Sequence, residues 1–513
     1  MLFRSDELNT SAAGSSVVFE NSASLIQLNP TANNTGNITY KRDAQIKLQD
    51  YVYWASPVAG VSSTGIYPTT PVANTLQWLP TVANSNGSTG DWSGVSETMP
   101  AGKGYAIRAP NTTSATVATD TTTFVGVPNN GTYTIAVSRG AYGGANFAGA
   151  NGATVTANDD NWNLIGNPYP SAIDALQFLT DNNTKIQGSI DLWTHGTALG
   201  VTTQPFYGSF GLNYNANDYI THNGTATTSG PSGFNGKIAA GQGFFVKMID
   251  GTTAATDNVQ FNNGQRSVAH DNSQFYRTAN ANAAASTPEK HRIWLDLVSN
   301  ATNSPTRIVV GYATGATAGF DHLFDATADF QSGQSFHSLI GSKIYCIQGR
   351  GLPFTNTDTI PLGFAVAAGS YRIGIHAVDG LFANNGQTVY LQDNATGLVH
   401  NLSTTPYNFV ATAGVNSTRF VLRYTAATLS NNSNTAAENS VVVFKDNNLL
   451  RAQTAGETMA SLAVYDILGR TVFMQNNLNS NSFQIADVVS QQQTLIVKIT
   501  LTNGAVVSKK IVY

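Results

Sequence analysis

The chain closes on Leu495-Ile496-Val497-Lys498-Ile499-Thr500-Leu501-Thr502-Asn503-Gly504-Ala505-Val506-Val507-Ser508-Lys509-Lys510-Ile511-Val512-Tyr513. Leu495, Val497, Ile499 and Leu501 alternate with Lys498, Thr500 and Thr502, the period of a strand with one buried face. Asn503-Gly504 is a strong hairpin signal, because both residues tolerate positive φ. A two-residue loop there sets Thr502 opposite Ala505 and Lys498 opposite Lys509. Like charges directly opposite are mildly unfavourable, so the two ammonium groups are expected to be solvated or to meet a carboxylate on a partner. Upstream, Ser461–Arg470 reads as another strand running into a glycine turn. The pattern holds over 441–513, which is expected to be a compact, immunoglobulin-like (Ig-like) sandwich behind a polar linker, 427–440.

The same texture runs through the whole chain. About one residue in ten of the 513 is Asn, well above ordinary usage. Gly, Ser and Thr are also abundant, and only 11% of residues are charged. Such residues favour turns and strand surfaces over helix faces. The fold class is therefore all-β, built of tandem antiparallel β-sandwich domains. Hydrophobic residues make up 41%, enough to bury several cores. A single Cys excludes an intramolecular disulfide and any multi-Cys metal framework. A net charge of -4 excludes bulk electrostatic capture of nucleic acid. No apolar run reaches the ~18 residues that a membrane-spanning helix needs. Met1-Leu2-Phe3-Arg4 leads into Ser5-Asp6-Glu7 with no apolar signal-peptide core, so the sequence is expected to be the C-terminal part of a longer polypeptide.

Residues 1–42 show short apolar runs between Asn/Gly turns and are expected to be the last rung of a β-solenoid, the end of an upstream β-rich region. An internal duplication follows, placed at 43–145 and 146–280. Tyr51-Val52-Tyr53-Trp54-Ala55-Ser56-Pro57, Trp78, Ala101-Gly102-Lys103-Gly104-Tyr105-Ala106-Ile107 and Asn129-Asn130-Gly131 mark the first copy. Asn161-Trp162-Asn163-Leu164-Ile165-Gly166-Asn167-Pro168, Trp193, Ala240-Gly241-Gln242-Gly243-Phe244-Phe245-Val246 and Asn262-Asn263-Gly264 mark the second. Trp54 is matched to Trp162 and Trp78 to Trp193. The second copy carries extra residues, expected as a loop within 196–236. The Gly-x-Gly pairs lack the Lys-Ser/Thr and helix of a phosphate loop. Ser171 and Asp174 stand at capping-box spacing before Ile173, Leu176 and Leu179, which predicts one short helix over a sheet. A linker near 279–287 leads to a third sandwich, 290–426, with strands at 292–297, 306–312, 343–348, 370–376, 388–391 and 419–424.

The terminal unit resembles a known family. Val464-Tyr465-Asp466-Ile467-Leu468-Gly469-Arg470, Leu495–Ile499, Gly504 and Ser508-Lys509-Lys510-Ile511-Val512, in that order and at the chain's end, look like the type A C-terminal sorting domain of type IX secretion cargo in Bacteroidota. The Pro-Asn-Pro often found near the start of that domain is absent, with Val443–Asn448 in its place. Segments within 161–174, 240–246, 348–354 and 419–424 resemble the C-terminal regions of such surface proteins. The resemblance implies a secreted or cell-surface location after export across the outer membrane. It implies partners in the type IX translocon and a sortase-like cysteine peptidase that removes the terminal domain, with release or attachment to surface lipopolysaccharide. It implies no enzymatic activity. Gly469, Arg470, Lys498, Gly504, Lys509, Lys510 and Tyr513 are the expected sorting-signal and translocon-binding residues.

A search for chemistry elsewhere finds little. The eight His residues have no metal-ligand spacing, and no His-Glu-x-x-His, Gly-x-Ser-x-Gly or Cys-x-x-Cys is present. His376 and Cys346 sit in strand patterns and are expected to be a satisfied strand residue and a buried, inert thiol. No cofactor is expected. The one metal reading is Ca²⁺ at Asp159-Asp160 or at Asp321, Asp325 and Asp329, where loop oxygens recur. Trp92, in a Gly/Ser stretch, is the candidate glycan contact. The chain is thus expected to be the non-catalytic, adhesin-like C-terminal region of a surface protein. The alternative is a glycan-binding accessory region of an extracellular polysaccharide-degrading enzyme.

Overall fold

In the computed structural model, residues 2–11, 17–83, 89–140, 147–148, 154–155, 161–194, 218–231, 233–249, 255–275, 289–328, 334–384, 386–426, 440–446, 449–486, 488 and 493–513 are described. The chain forms two compact units, Met1–Ala426 and Ala427–Tyr513. The fold is all-β. Its one described α-helix is Ala175–Asp181, capped by Asp174, whose carboxylate accepts from Gln177 N at 3.0 Å. Asp174, rather than Ser171, is the cap, because the backbone at Ile173–Asp174 is still extended and pairs with Lys237–Ile238.

The first unit opens with short parallel pairs. Leu2–Arg4 pairs with Ser24–Ile26, and Val18–Phe19 pairs with Ile38–Ile46. Parallel pairing between successive short segments is how a solenoid coil stacks.

The duplication is visible as repeated topology. The sheet order is Tyr51–Trp54, Tyr105–Arg108, Thr75–Ala83, Thr89–Gly94 in one copy. In the other it is Trp162–Gly166, Gly243–Met248, Ile186–Trp193, Tyr219–His222. Each copy adds an antiparallel pair, Ile38–Ile46 with Ala118–Gly126 and Tyr133–Ser138 with Thr256–Phe261. By strand pairing the copies therefore begin at Ile38 and Tyr133.

The two copies are sewn together by reciprocal bonds. Ala55 N donates to Gly241 O at 2.8 Å and Gly166 N donates to Gly102 O at 2.9 Å. Each Ala-Gly-x-Gly turn thus meets the end of the other copy's edge strand, Tyr51–Trp54 or Trp162–Gly166. Its glycines Gly102 and Gly241 hold φ of +88° and +70°, the left-handed region. A pseudo-two-fold axis passes where Ala55 meets Gly166, since a Cβ on Gly166 would lie 2.4 Å from that of Ala55.

Alternate residues of these strands serve different cores. Trp54, Tyr105 and Phe124 fill the first copy, and Ile165, Phe244 and Phe261 fill the second. Tyr51, Tyr53, Trp162 and Leu164 point the other way, into an aromatic cluster between the two sheets. The structural counterpart of Trp162 is therefore Tyr51, which sits equally far before its proline, and not Trp54.

The third stretch is one eleven-stranded sheet rather than two stacked ones. It wraps around Leu295, Tyr312, Ile360, Phe364, Phe420 and Leu422. It is antiparallel except that Pro305–Ala313 runs parallel to Lys343–Gly351. The long connection between those two strands permits a crossover that a tight hairpin would forbid. This sheet is joined to the second copy by side-chain bonds to backbone acceptors: Trp294 Nε1 donates to Thr227 O at 2.7 Å in a buried position, and Thr225 Oγ1 donates to Phe324 O at 2.7 Å. The three expected sandwiches consequently make a single unit. The second unit has its own core, with Leu450, Leu462, Val464, Val497, Ile499 and Val507 buried. Most of the expected linker 427–440 lies outside the described residues.

Candidate functional site

The terminal unit packs the sheet Val441–Asp446, Leu449–Thr454, Ser482–Ile485 against a four-stranded one. The latter runs in the order Thr471–Ser480, Met459–Asp466, Thr494–Leu501, Val506–Val512. Both hairpins of the four-stranded sheet share one turn geometry. Gly469 N donates to Asp466 O at 3.0 Å while Asp466 N donates to Arg470 O at 3.0 Å. Gly504 N donates to Leu501 O at 2.9 Å while Leu501 N donates to Ala505 O at 2.8 Å. Each is a three-residue loop ending in a left-handed glycine, with φ of +81° at Gly469 and +85° at Gly504.

The register at the tail follows from this turn. Lys498 faces Ser508, and Val497 faces Lys509. The expected Lys498–Lys509 pair does not form, because the loop holds Thr502, Asn503 and Gly504, one residue more than a two-residue turn. The side chain of Lys509 falls on the core side with Val507, Ile511 and Tyr513, and is half-buried. Lys498 and Lys510 are exposed on the opposite face.

The remaining expected residues divide between the two ends of the sheet. Gly504 closes the far end. Gly469, Arg470 and Tyr513 lie at the near end, where Asp466 pairs with Leu495 and Thr494 with Val512. Arg470 Nε donates to Asp466 Oδ2 at 2.6 Å, and Asp466 Oδ1 accepts from Leu468 N and Arg470 N. The Arg470 guanidinium, followed by these backbone bonds, holds the Asp466 carboxyl below its ordinary value. Tyr513 is not a free end. It is buried, exchanges two backbone bonds of 2.9 Å with Gln493, and carries Lys445 Nζ 5.3 Å from its ring centre.

Sequence reasoning missed the outer face of this sheet. Ile467 and Leu468 in the turn are 71% and 75% exposed, and Val512 is 66% exposed. Val472, Met474, Ile496 and Val506 are exposed as well. The alternation of Ile496 with buried neighbours was the available signal: an apolar residue in an outward slot.

Elsewhere, Trp92 stands in the strand Thr89–Gly94 and is half-buried, its centroid 5.1 Å from Trp78 and 5.9 Å from Phe245, edge-on to both. Four of the six tryptophans share this cluster. Trp92 thus lies in a strand, paired with Trp78 and partly buried against it, rather than standing alone in a loop. Asp321 and Asp325 spend oxygens on backbone donors: Asp325 accepts from Asp321 N at 2.6 Å and Gly349 N at 2.8 Å. Asp159, Asp160 and Asp329 lie outside the described residues. Among the described residues no three His, Cys, Asp or Glu side chains converge on a metal position. Cys346 is half-buried, not buried, with Sγ 3.6 Å from two carbonyls. His376 is part-exposed, 3.6 Å from Asp296. Among the described residues no helix is long and apolar enough to cross a membrane.

Fold and site together define an all-β protein with a separately cored, sandwich-like terminal unit. Residues 3–424 match a family described as a domain of unknown function, DUF8693, and the chain belongs to that family. Residues 429–513 match a second domain of unknown function, DUF8694. The two matches meet where the structure divides. No curated protein matches the chain.

Proposed function

We propose that the chain is the non-catalytic, adhesin-like region of a secreted or cell-surface protein. In this reading residues 441–513 act as the address for type IX export across the outer membrane, to be removed by a sortase-like peptidase. The observation that carries the reading is that the residues resembling a type A sorting domain coincide with a unit that has its own core. An address read on an already folded cargo has to be a surface, and a rigid sheet ending in a tied-down Tyr513 offers one. The test is the full chain against a chain ending at residue 426, each carrying a signal peptide, in a Bacteroidota host with the type IX system. The full chain is expected outside the cell and the shortened one in the periplasm. Equal export of both would sink the proposal.

A further inference from the structure

We propose that the outward face of the terminal four-stranded sheet docks an acidic protein surface, and that Lys498 and Lys510 select it; this rests on the export reading. The pairing fixes the layout of the face. One row runs Thr471, Tyr465, Ile496, Lys510, and the next runs Met474, Ala463, Lys498, Ser508. Val512, Ile467 and Leu468 continue the first row at the near end of the sheet, and Val472 is the exposed extra residue where the register shifts between the two rows. The outward slots of a sheet whose other face already fills a core are ordinarily polar. Here they hold a contiguous run of exposed apolar side chains, the mark of an interaction site.

The charges choose the occupant. The ammonium groups of Lys498 and Lys510 make no ion pair or hydrogen bond with any described residue, while Asp466 and Asp446, acids of the same unit, are engaged by Arg470 and Arg451. Two ammonium groups unpaired among the described residues, rimming an apolar centre, match carboxylates around an apolar patch, where charge-assisted bonds fix the register. A second copy fits poorly, because a two-fold contact would bring the lysines of one chain against those of the other. An anionic membrane fits poorly too. Polybasic lipid binding takes about four to eight clustered basic residues, and the unit contains no Trp to anchor at an interface.

The experiment uses the full chain in the same host. Lys498→Glu/Lys510→Glu is compared with the wild type and with Lys498→Arg/Lys510→Arg. Ser508→Glu, on the same face, is the second disruptive variant. Thermal unfolding of each purified chain monitors the fold. The exported fraction is expected to fall about tenfold in both acidic variants, at unchanged melting temperature, and to be restored in the Arg pair. Wild-type export with undiminished export of the acidic variants would overturn the docking face and leave the export reading intact. Retention of the wild type itself would overturn the export reading, and the docking face with it. Flotation of the wild type on phosphatidylglycerol vesicles, lost in the Glu pair, would assign the face to lipid instead. A dimer by light scattering, lost in the same pair, would assign it to a second copy.

Discussion

Gly504 and Gly469 are needed for their backbone, not for space. A Cβ at either would meet nothing within 4 Å, yet both hold φ near +80°. An L-residue in that region costs about 1–2 kcal/mol, and a β-branched one sits at the upper end of the range. Gly504→Val is therefore expected to destabilise the terminal unit by about 2 kcal/mol and Gly504→Asn by less, measured by denaturant unfolding. A loss below ~0.5 kcal/mol for Val would refute the turn assignment. The same residue shows the limit of the sequence. Asn503-Gly504 announced the hairpin and its glycine, but Asn-Gly suits both a two-residue turn and a three-residue loop with the glycine last. The choice lies in whether Leu501 pairs with Ala505, a matter of strand twist and core register. One residue of difference moved Lys509 to the core side and separated it from Lys498.

At the scale of elements, the exchange between the duplicated sheets makes a sharper prediction. Gly166 lies against Ala55, and a Cβ there would also come within 3.0 Å of Gln242 O. Gly166→Ala is expected to cost about 1–3 kcal/mol by overpacking. Ala55→Gly removes the first clash, so the double variant should recover part of the loss, with a coupling of about 1 kcal/mol or more in a double-mutant cycle. Strict additivity would deny that the axis passes between these residues. The repeat itself was legible from Ala-Gly-x-Gly alone, since glycines forced to positive φ before a strand leave a fixed mark. Its alignment was not. Tryptophan looked like the landmark, whereas the sheet face, set by distance from Pro57 and Pro168, pairs Trp162 with Tyr51. The abundant asparagines likewise read as turn formers, yet several brace the interior. Asn167 is buried, donating through Nδ2 to Ser171 O and Ile238 O and accepting from Tyr169 N. Composition cannot separate a turn amide from an internal brace, because both satisfy backbone groups.

At the scale of the whole molecule, the two units should respond differently to mild acid. All eight histidines precede residue 427. His222 is buried and pushed down to about 3, and His337 to about 4, in both cases chiefly by burial. Their ordinary value is 6.5, so between pH 6.5 and about 4 the unfolded chain holds protons that the fold does not. Stability of the first unit then falls as pH drops, by about 2 kcal/mol per histidine at pH 5. Asp325 works the other way. Burial pushes its carboxyl up to about 6, so the fold holds the extra proton and regains stability below that pH, about 1 kcal/mol at pH 5. The depressed carboxyls Asp174 and Asp393 lose their contribution only below their ordinary 3.8, and Lys290, lowered to about 8, exerts its effect above the window. Their transitions stay outside pH 5–7. Residues 427–513 contain no histidine, and Asp466, held low by Arg470, also stays ionised throughout. Calorimetry of the full chain should therefore show one transition moving down between pH 7 and pH 5 while the other holds its midpoint. His222→Gln should flatten the slope of the moving one. A single transition that moves as a whole would mean that the units do not unfold separately, whereas separate unfolding is the property that an address carried on folded cargo requires.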